Sequence, residues 1–346
     1  MLAPFFHAWE RRLASVSKDR VVRPFEWGLD WIGHGEDAPD LDAAARLLAY
    51  VRQALDDSDA FFTPTPTGSY RLDAPANGDG ATLTFESSRR TPHPQNNTVY
   101  ARYFPGRVRE GRNRARRAVV LLPQWNSDAG GHIGLARLLA RVGISALRLS
   151  LPYHDRRMPP ELTRADYIVS ANVARTLETC RQAVHDARRA VWWLRDRGYD
   201  RIGILGTSLG SCLAMLTAAH EPLIRAQALN HISPYFADVV WHGLSTRHVR
   251  EGLEGRIDLE RLRRLWMPIS PVQHLDRIRD RRTLLVYAKY DLTFPVRLSR
   301  DLVGEFRRRG IPHRLAILPC GHYSTGAVPF KFVDGYVLTR FLHRNL

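Results

Sequence analysis

The stretch Arg201–Leu216, RIGILGTSLGSCLAML, contains a serine between two glycines. The apolar run at 202–205 predicts a short buried strand, and the run at 211–219, rich in Ala, Leu and Met, predicts a helix. The five residues that join them, Gly206–Gly210, read Gly-x-Ser-x-Gly. A serine in this strand–turn–helix setting is typical of a nucleophile exposed at a sharp turn. Since a serine hydroxyl is a weak nucleophile by itself, Ser208 would need a base and a group that orients the base.

The bulk composition is that of a soluble globular protein. The chain has 346 residues, of which 44% are hydrophobic and 25% charged, and its length allows one large domain or two small ones. The three cysteines, Cys180, Cys212 and Cys320, form no Cys-x-x-Cys pair and predict no disulfide framework. Residues 1–16 lack the features of a signal peptide, and no apolar run approaches ~18 residues. We therefore expect a cytoplasmic protein without a membrane span.

The net charge of +16 comes from arginine, since only three of the 51 basic residues are lysines. A basic protein of this kind can bind nucleic acid or an anionic surface. The arginines are spread along most of the chain, however, and aromatic residues that would stack on bases do not accompany them. We therefore expect a solvated basic surface and no specific nucleic-acid partner.

The N-terminal part of the chain differs from the rest. Residues 41–55 place apolar residues at three- and four-residue spacing, which predicts a helix, and 61–80 are rich in Pro, Gly and Asp, which predicts a linker. We therefore expect a helical extension and linker over 1–80. Its aromatic residues should pack on the core or at a homodimer contact, and a membrane-surface helix is the alternative. They are Phe5, Phe6, Trp9, Phe25, Trp27 and Trp31.

Residues 81–346 follow an α/β pattern. The alternating stretches 81–88 and 96–104 predict a strand pair. From Ala118 onward, short apolar runs alternate with longer helical stretches, which predicts a mostly parallel central sheet covered by helices on both faces. The predicted parallel strands are 118–123, 144–152, 201–206, 226–233, 282–289 and 313–319. The irregular segment 234–275, between two of these strands, is a predicted lid.

Polar residues follow two of the predicted strands in an informative order. In an open α/β sheet, ligands bind beyond the carboxyl ends of the strands. Asp291 lies in the loop after 282–289, and His322 lies in the loop after 313–319. Asp291 and His322 are therefore candidates for the orienting group and the base that Ser208 needs. A helix-capping role for Asp291 is the alternative.

The motif Gly-x-Ser-x-Gly at 206–210 is followed by Asp291 and then by His322, each directly after its own strand. In this order residues 81–346 resemble the α/β-hydrolase superfamily, whose catalytic residues occur in the order nucleophile, acid, histidine. Within that superfamily the chain is similar to the esterase-like and dienelactone-hydrolase-like branches. The resemblance implies that Ser208 attacks a carbonyl carbon, that His322 accepts and returns the proton, and that Asp291 orients the imidazole. It implies no metal and no organic cofactor.

A serine nucleophile also needs N–H donors for the oxyanion of its tetrahedral intermediate. The resemblance implies that the backbone N–H of Leu209, the residue after the nucleophile, is one donor. The second should come from the loop after 118–123, where the family often carries His-Gly and this chain carries Pro123-Gln124. We expect the N–H of Trp125, or failing that the N–H of Gln124, to serve. A packed loop tip is the alternative.

Further polar and aromatic residues are candidates for substrate contacts. His154 and Arg156 follow the strand 144–152 and would face the same cleft, and a local salt-bridged loop is the alternative. Tyr235 and Trp241 lie in the predicted lid, where aromatic side chains would line a pocket for an acyl or alcohol group. Packing over the sheet edge is their alternative. The histidines of this region match no common metal-ligand spacing, so we expect no zinc site.

These features predict a serine hydrolase that cleaves a carboxylic ester, or less favourably a thioester or amide, through an acyl-enzyme. We expect a small-molecule ester as the substrate. Two alternatives stay open: an acyltransferase or peptidase that uses the same three residues, and a non-catalytic binding protein with the same fold. The identity of the substrate does not follow from the sequence, because a fold does not fix a function.

Overall fold

The computed structural model of the chain describes residues 2–17, 19–33, 40–74, 80–107 and 116–346. Within these residues the centre of the molecule is a nine-stranded sheet. In chain order the strands are β1 (Arg71–Asp73), β2 (Ala81–Glu86), β3 (Thr98–Phe104), β4 (Arg117–Leu122), β5 (Ser145–Leu149), β6 (Arg201–Thr207), β7 (Ile224–Asn230), β8 (Arg282–Ala288) and β9 (Arg314–Leu318). They lie side by side in the order β1-β2-β3-β5-β4-β6-β7-β8-β9.

The sheet is antiparallel at one edge and parallel elsewhere. Strands β5, β4, β6, β7, β8 and β9 run parallel, whereas β1, β2 and β3 pair antiparallel. The predicted mostly parallel sheet is therefore confirmed, and so is the predicted strand pair, which is β2 with β3. Strand β1 lies inside the predicted linker and pairs with β2, so the sheet begins before residue 81. The division of the chain at residue 80 stays a prediction.

Helices cover both faces of the sheet. Successive side chains of a strand point to opposite faces, and the buried strand β4 accordingly contributes Val120 to one apolar cluster and Val119 and Leu121 to another. This arrangement confirms the predicted α/β class. The helices are α1 (Ala3–Ala14), α2 (Asp40–Asp56), α3 (Ser58–Phe62), α4 (Ile133–Arg141), α5 (Val173–Asp196), α6 (Leu209–His220), α7 (Phe236–His242), α8 (Arg247–Leu253), α9 (Leu259–Leu265), α10 (Val296–Arg308) and α11 (Phe330–Asn345). Among the described residues, none of the helices is long and apolar enough to cross a bilayer.

The longest helix is shorter than the sequence predicts. The stretch 165–198 predicts one long helix or two, but α5 covers only its C-terminal part. The side-chain oxygen of Asn172 accepts the backbone N–H of Arg175 at 2.9 Å, which caps the helix. The segment before this cap is not helical. It contacts the loop after β4, because the N–H of Ala165 donates to the side-chain oxygen of Asn126 at 2.8 Å. The helix therefore begins at Val173, inside the apolar periodicity, and the preceding segment supports the loop after β4.

The predicted lid segment, 234–275, is helical. It contains α7, α8 and α9, connects β7 to β8, and packs α7 against the other two helices. Trp266 in this segment is fully buried, and its Nε1–H donates to the carbonyl of Val173 at 3.0 Å. The segment is therefore docked on the start of α5. Its opening as a lid stays a prediction.

The N-terminal helix α1 holds the loop that follows β9. Glu10 of α1 is fully buried. Its carboxylate accepts hydrogen bonds from the backbone N–H groups of Tyr323 and Ser324, at 2.8 and 2.9 Å, and from the Ser324 hydroxyl at 2.7 Å. Phe6, one turn earlier, stacks on Tyr290 with 4.6 Å between ring centroids. Helix α1 therefore fixes the two loops that carry Asp291 and His322, and Phe6 packs on the core.

We expect Glu10→Ala to lower the free energy of unfolding by at least about 2 kcal/mol, because three buried donors would lose a charged acceptor. Urea denaturation of the purified variant beside the wild type measures this. Arg12→Ala on the same helix is the matched control, since the side chain of Arg12 is exposed, and it should unfold like the wild type. Equal stability of the two variants would contradict the role given to Glu10.

Candidate active site

Ser208 occupies a sharp turn between β6 and α6. Its backbone angles, φ 57° and ψ −121°, lie in a region that residues other than glycine rarely adopt. The flanking glycines permit the turn, because a Cβ on Gly206 would lie 2.0 Å from the carbonyl oxygen of Gly210, and one on Gly210 would lie 2.2 Å from that of Leu122. The N–H of Ser208 donates to the Asn230 carbonyl at 2.7 Å. The turn therefore places Ser208 just beyond the carboxyl end of β6.

Asp291 and His322 are hydrogen-bonded to each other. Nδ1 of His322 lies 3.0 Å from Oδ2 of Asp291, and Oδ1 of the same carboxylate accepts the N–H groups of Thr293 and Phe294 at 2.8 and 2.7 Å. Since a carboxylate only accepts, Nδ1 of His322 carries the hydrogen and Nε2 is left as a base. His322 and Ser208 line the same cavity. Within the described residues no direct hydrogen bond joins the side chains of His322 and Ser208.

Burial and charge act in opposite directions on this pair. Burial acts to raise the pKa of the Asp291 carboxyl, but the charge of His322 and the hydrogen bonds from two imidazoles bring it below its ordinary value. Burial acts to lower the pKa of His322, but the charge of Asp291 and its hydrogen bond raise it above the ordinary value of 6.5. The carboxylate therefore stays ionised at neutral pH and favours the charged form of the imidazole.

A second imidazole shares the same carboxylate oxygen. Nδ1 of His231 lies 3.0 Å from Oδ2 of Asp291, and the rings of His231 and His322 are 4.6 Å apart between centroids. Burial, together with the charge of His322, lowers the pKa of His231, so His231 is neutral and donates its Nδ1 hydrogen to Asp291. Ligand atoms of the three side chains lie within 4.8 Å of one another, a spacing that a metal ion could bridge. Both imidazoles already donate to the carboxylate, however, and this satisfies the cluster without a metal.

The predicted oxyanion donors lie around Ser208. Leu209 begins α6, where a backbone N–H has no partner within the helix. Gln124 and Trp125 line the cavity that contains Ser208, and among the described residues their backbone N–H groups donate no hydrogen bond. The role of these three N–H groups as oxyanion donors stays a prediction.

His154 lies buried beneath the loop that carries these donors and lines neither of the cavities next to Ser208. Its Nδ1–H donates to the Pro152 carbonyl at 2.9 Å, and its Nε2 accepts the N–H of Asn126 at 2.9 Å. Trp125 is held as well, because its Nε1–H donates to the carbonyl of Ala165 at 2.9 Å. The loop after β4 is therefore fixed by side-chain hydrogen bonds.

The other predicted substrate contacts, Arg156, Tyr235 and Trp241, also lie outside both cavities. Each takes part in a cation–π contact, with 5.2 to 5.6 Å between the guanidinium carbon and the ring centre. Tyr235 and Trp241 therefore each pack against an arginine side chain, and a role for them in binding substrate stays a prediction. The contacts are Arg156 over Tyr100, Arg263 over Tyr235, and Arg250 over Trp241.

Two cavities of different character meet at Ser208. An apolar pocket of about 50 Å³ is lined by Ser208 together with Cys212, Phe236 and Val240. A larger cavity of about 900 Å³, which has more polar groups than this pocket but also apolar side chains such as Leu135 and Phe332, is lined by Ser208 together with His322. The serine therefore lies at the junction of a small apolar space and a large one with mixed polar and apolar lining.

A second carboxyl lines the larger cavity. Asp334 of α11 accepts a hydrogen bond from the side-chain amide of Asn230, with 2.9 Å between Nδ2 and Oδ2. Burial raises the pKa of Asp334 to about 7, although the hydrogen bond from Asn230 acts to lower it. Asp334 therefore changes its charge near neutral pH inside the cavity that contains His322.

His231, Glu10 and Asp334 are not predicted as site residues by any motif in the sequence. A signal existed for His231, because it follows β7 at the carboxyl edge of the sheet as Asp291 follows β8. No such signal existed for Glu10 or Asp334, since each lies on a helix far in sequence from the groups that it contacts, and no motif marks it.

We expect the imidazole of His322 to titrate above 6.5 in the folded protein, because Asp291 favours its charged form. Asp291→Asn removes that charge and should lower the pKa of His322. NMR titration of the histidine side chains measures both values, and the signal missing from His322→Ala identifies the resonance. A pKa that Asp291→Asn leaves unchanged would contradict the pairing.

The second imidazole supplies a matched comparison for this experiment. His231→Leu removes a competing N–H donor from Asp291 but leaves the carboxylate, so the pKa of His322 should rise further. His231→Asn retains a side-chain N–H donor and should leave the pKa nearer to that of the wild type. A fall in the His322 pKa in His231→Leu would show that the two imidazoles do not compete for Asp291.

We expect Asp334→Asn to raise the free energy of unfolding at alkaline pH. A carboxyl whose pKa rises from 3.8 to about 7 on folding favours the unfolded chain increasingly as the pH rises through that window. The gain in the free energy of unfolding should therefore be larger at pH about 8 than at pH about 4. Urea denaturation of the variant and the wild type at both pH values measures it. Asp301→Asn changes an exposed carboxyl on α10 and is the control. A gain that does not depend on pH would contradict the assignment.

No protein-family model matches this chain, and neither does any curated protein sequence. Solved structures do match it. The acetyl xylan esterase from Paenibacillus sp. R4 is similar, with a TM-score of 0.60 and 15% identity over 97% of this chain and 99% of the esterase. The acylaminoacyl peptidase of Pyrococcus horikoshii is similar, with a TM-score of 0.60 and 15% identity over 81% of this chain, which spans only 42% of the peptidase's length. Likeness at this identity concerns the fold, and together with the order and direction of the strands it shows that the chain has the α/β-hydrolase fold.

Proposed function

We propose that the protein is a serine hydrolase that cleaves carboxylic esters through an acyl-enzyme. One observation carries the proposal. The strained turn at Ser208 borders a cavity that His322 also lines, and His322 is hydrogen-bonded to the buried carboxylate of Asp291. A serine, an imidazole and a carboxylate in this relation are the parts that acyl transfer to a serine requires.

In the first half of the reaction, Oγ of Ser208 attacks the carbonyl carbon of the ester while Nε2 of His322 accepts the hydroxyl proton. The Asp291 carboxylate holds the Nδ1 hydrogen and stabilises the imidazolium. The N–H groups of Leu209 and Trp125 bind the oxyanion of the tetrahedral intermediate, where charge develops. The intermediate then collapses, the C–O bond breaks, and the imidazolium gives its proton to the leaving alcohol.

In the second half, water takes the place of the alcohol. Nε2 of His322 removes a proton from the water as its oxygen attacks the acyl carbon, and a second tetrahedral intermediate forms. This intermediate releases the carboxylic acid, and the oxygen of Ser208 recovers its proton from His322. The protein therefore returns to its starting state without a change in its own groups.

His231 has a positioning role in this proposal. It shares Oδ2 of Asp291 with His322, and the N–H groups of Thr293 and Phe294 occupy Oδ1. Four donors therefore orient the carboxylate, and the donor from His231 limits how strongly Asp291 raises the basicity of His322.

Esters are favoured over amides as substrates. The likeness to the acetyl xylan esterase extends over nearly the whole of both chains, whereas more than half of the peptidase has no counterpart here. An acyltransferase on the same residues would transfer the acyl group to an acceptor other than water, and analysis of the products distinguishes the two. A non-catalytic binding protein would contain an unreactive Ser208.

We expect a fluorophosphonate probe to form an adduct on Ser208, and Ser208→Ala to lower ester turnover by about 10⁴-fold or more with nearly unchanged thermal unfolding. Mass mapping of the labelled peptide identifies the site. His322→Ala should lose the labelling, because the hydroxyl then has no base.

Ser299→Ala is the control for these variants, because it removes a buried serine hydroxyl that lines neither cavity. It should keep both labelling and turnover. A folded wild-type protein that the probe does not label would overturn the proposal and favour the binding-protein alternative.

A further inference from the structure

We propose that the acyl group of the substrate is short, with about two to four carbon atoms, and that the leaving group is large and polar. The proposal rests on the proposed function, since it assigns the two sides of an ester to the two cavities that meet at Ser208.

His322 decides which side of the ester enters which cavity. The leaving oxygen has to lie beside His322, because the imidazolium gives it a proton as the C–O bond breaks. His322 lines the larger cavity and is not among the described residues that line the small pocket. The leaving group therefore extends into the larger cavity, and the acyl chain, on the other side of the carbonyl carbon, enters the small pocket.

The volume of the small pocket limits the acyl chain. The pocket measures about 50 Å³, and one water-sized group occupies roughly 10–15 Å³ of such space. About three to five groups of this size fill it. Acetyl, propionyl and butyryl chains therefore fit, since they place at most about three carbon atoms beyond the carbonyl, and a much longer chain would have to displace the walls.

The walls of the pocket are held by packing on other side chains. The Phe294 ring lies parallel to the ring of His322, 5.4 Å away, so it cannot retreat without moving the histidine. Phe236 packs edge-to-face on the buried Trp266 at 5.5 Å. Sγ of Cys212 lies 3.3 Å from the carbonyl oxygen of Ile269. Because well-packed interiors resist expansion, these walls make the chain-length limit steep.

The chemistry of the small pocket suits a hydrocarbon chain. No charged side chain of the described part of the protein lines it. The hydroxyls of Ser233 and Thr246 face backbone carbonyls, at 2.9 Å from Tyr235 and 2.9 Å from Val239 respectively. These two hydroxyls are therefore used within the fold. Ser245 and Thr293 also line the pocket, and Oγ1 of Thr293 is buried without a hydrogen-bond partner among the described residues, so the space is mainly but not wholly apolar.

The larger cavity has apolar lining residues, among them Leu135, Leu138 and Phe332, and charged ones that suit a polar group. Its charged lining residues are Arg20, Arg141, Arg164, Lys331 and Asp334. A long alkyl chain in this cavity would remove water from these groups without replacing their hydrogen bonds, which is unfavourable. A leaving group rich in hydroxyls would replace them, and a volume of about 900 Å³ leaves room for one of many atoms.

The first test is a chain-length series on the wild-type protein. The p-nitrophenyl esters of acetate, butyrate, hexanoate and octanoate share a leaving group, so kcat/KM reports on the acyl side alone. We expect kcat/KM to fall along the series and octanoate to react at least about 10-fold less efficiently than acetate, because its chain overfills the pocket. Equal or rising kcat/KM along the series would overturn the proposal.

The second test varies the leaving group at constant acyl group. An acetylated glucoside should react with a higher kcat/KM than octyl acetate, because only the glucoside offers hydroxyls to the charged side chains of the larger cavity. A preference for octyl acetate would overturn the assignment of the larger cavity.

The third test widens the pocket. Val240 is buried and lines it, so Val240→Ala should raise the ratio of hexanoate to acetate kcat/KM by at least about 5-fold. Val249→Ala is the matched control, because it removes the same atoms from a buried valine of the same segment that does not line the pocket. An unchanged ratio in a folded Val240→Ala protein would contradict the acyl assignment.

Labelling of Ser208 by a fluorophosphonate, measured on the same preparations, separates the two proposals. Absence of labelling would overturn the proposed function. Labelling with a preference for long acyl chains would leave the proposed function intact and overturn this inference. Labelling without turnover of any short ester would also overturn this inference, since it requires short esters to be substrates.

Discussion

The turn at Ser208 is the constraint on which the site depends. The backbone of Ser208 has a φ of 57°, and a side chain on Gly206 or Gly210 would overlap a backbone carbonyl at 2.0 or 2.2 Å. A residue held in such a conformation costs on the order of 1–3 kcal/mol, which the surrounding structure has to offset. It does so here because β6 is hydrogen-bonded between β4 and β7 and every residue of α6 is buried. The strained turn is therefore secured by the centre of the fold.

The Asp291 carboxylate is the second centre of organisation. It is buried and receives four hydrogen bonds, from two backbone N–H groups and from the imidazoles of His231 and His322. An ionised group can be buried only when it is satisfied in this way. The site differs from a simple arrangement of one serine, one histidine and one aspartate, because two imidazoles share the Asp291 carboxylate. In the function that we propose, this sharing tunes the basicity of His322.

Segments outside the parallel sheet shape the space around these residues. Helix α1 reaches the loop after β9 through Glu10, and the helices of 234–275 supply Phe236 and Val240 to the small pocket. The sheet thus positions the reacting groups, while the N-terminal helix and the inserted helices limit their movement and the size of what can bind. Substrate selection, in our proposal, is a property of these additions.

The sequence by itself determined the parallel α/β sheet, the tight turn at 206–210, and the positions of Asp291 and His322 directly after β8 and β9. These features are local, because strand periodicity, glycine spacing and the residue after a strand are all read over a few positions. The predicted start of the longest helix was wrong, because the side chain of Asn172 caps α5 inside an apolar stretch that by itself predicts a helix. The tertiary structure alone decided that His231 meets Asp291, that Glu10 lies beneath the loop of His322, and that a 50 Å³ pocket and a 900 Å³ cavity meet at the serine. Each of these depends on side chains brought together across long stretches of chain, and no spacing in the sequence records that packing.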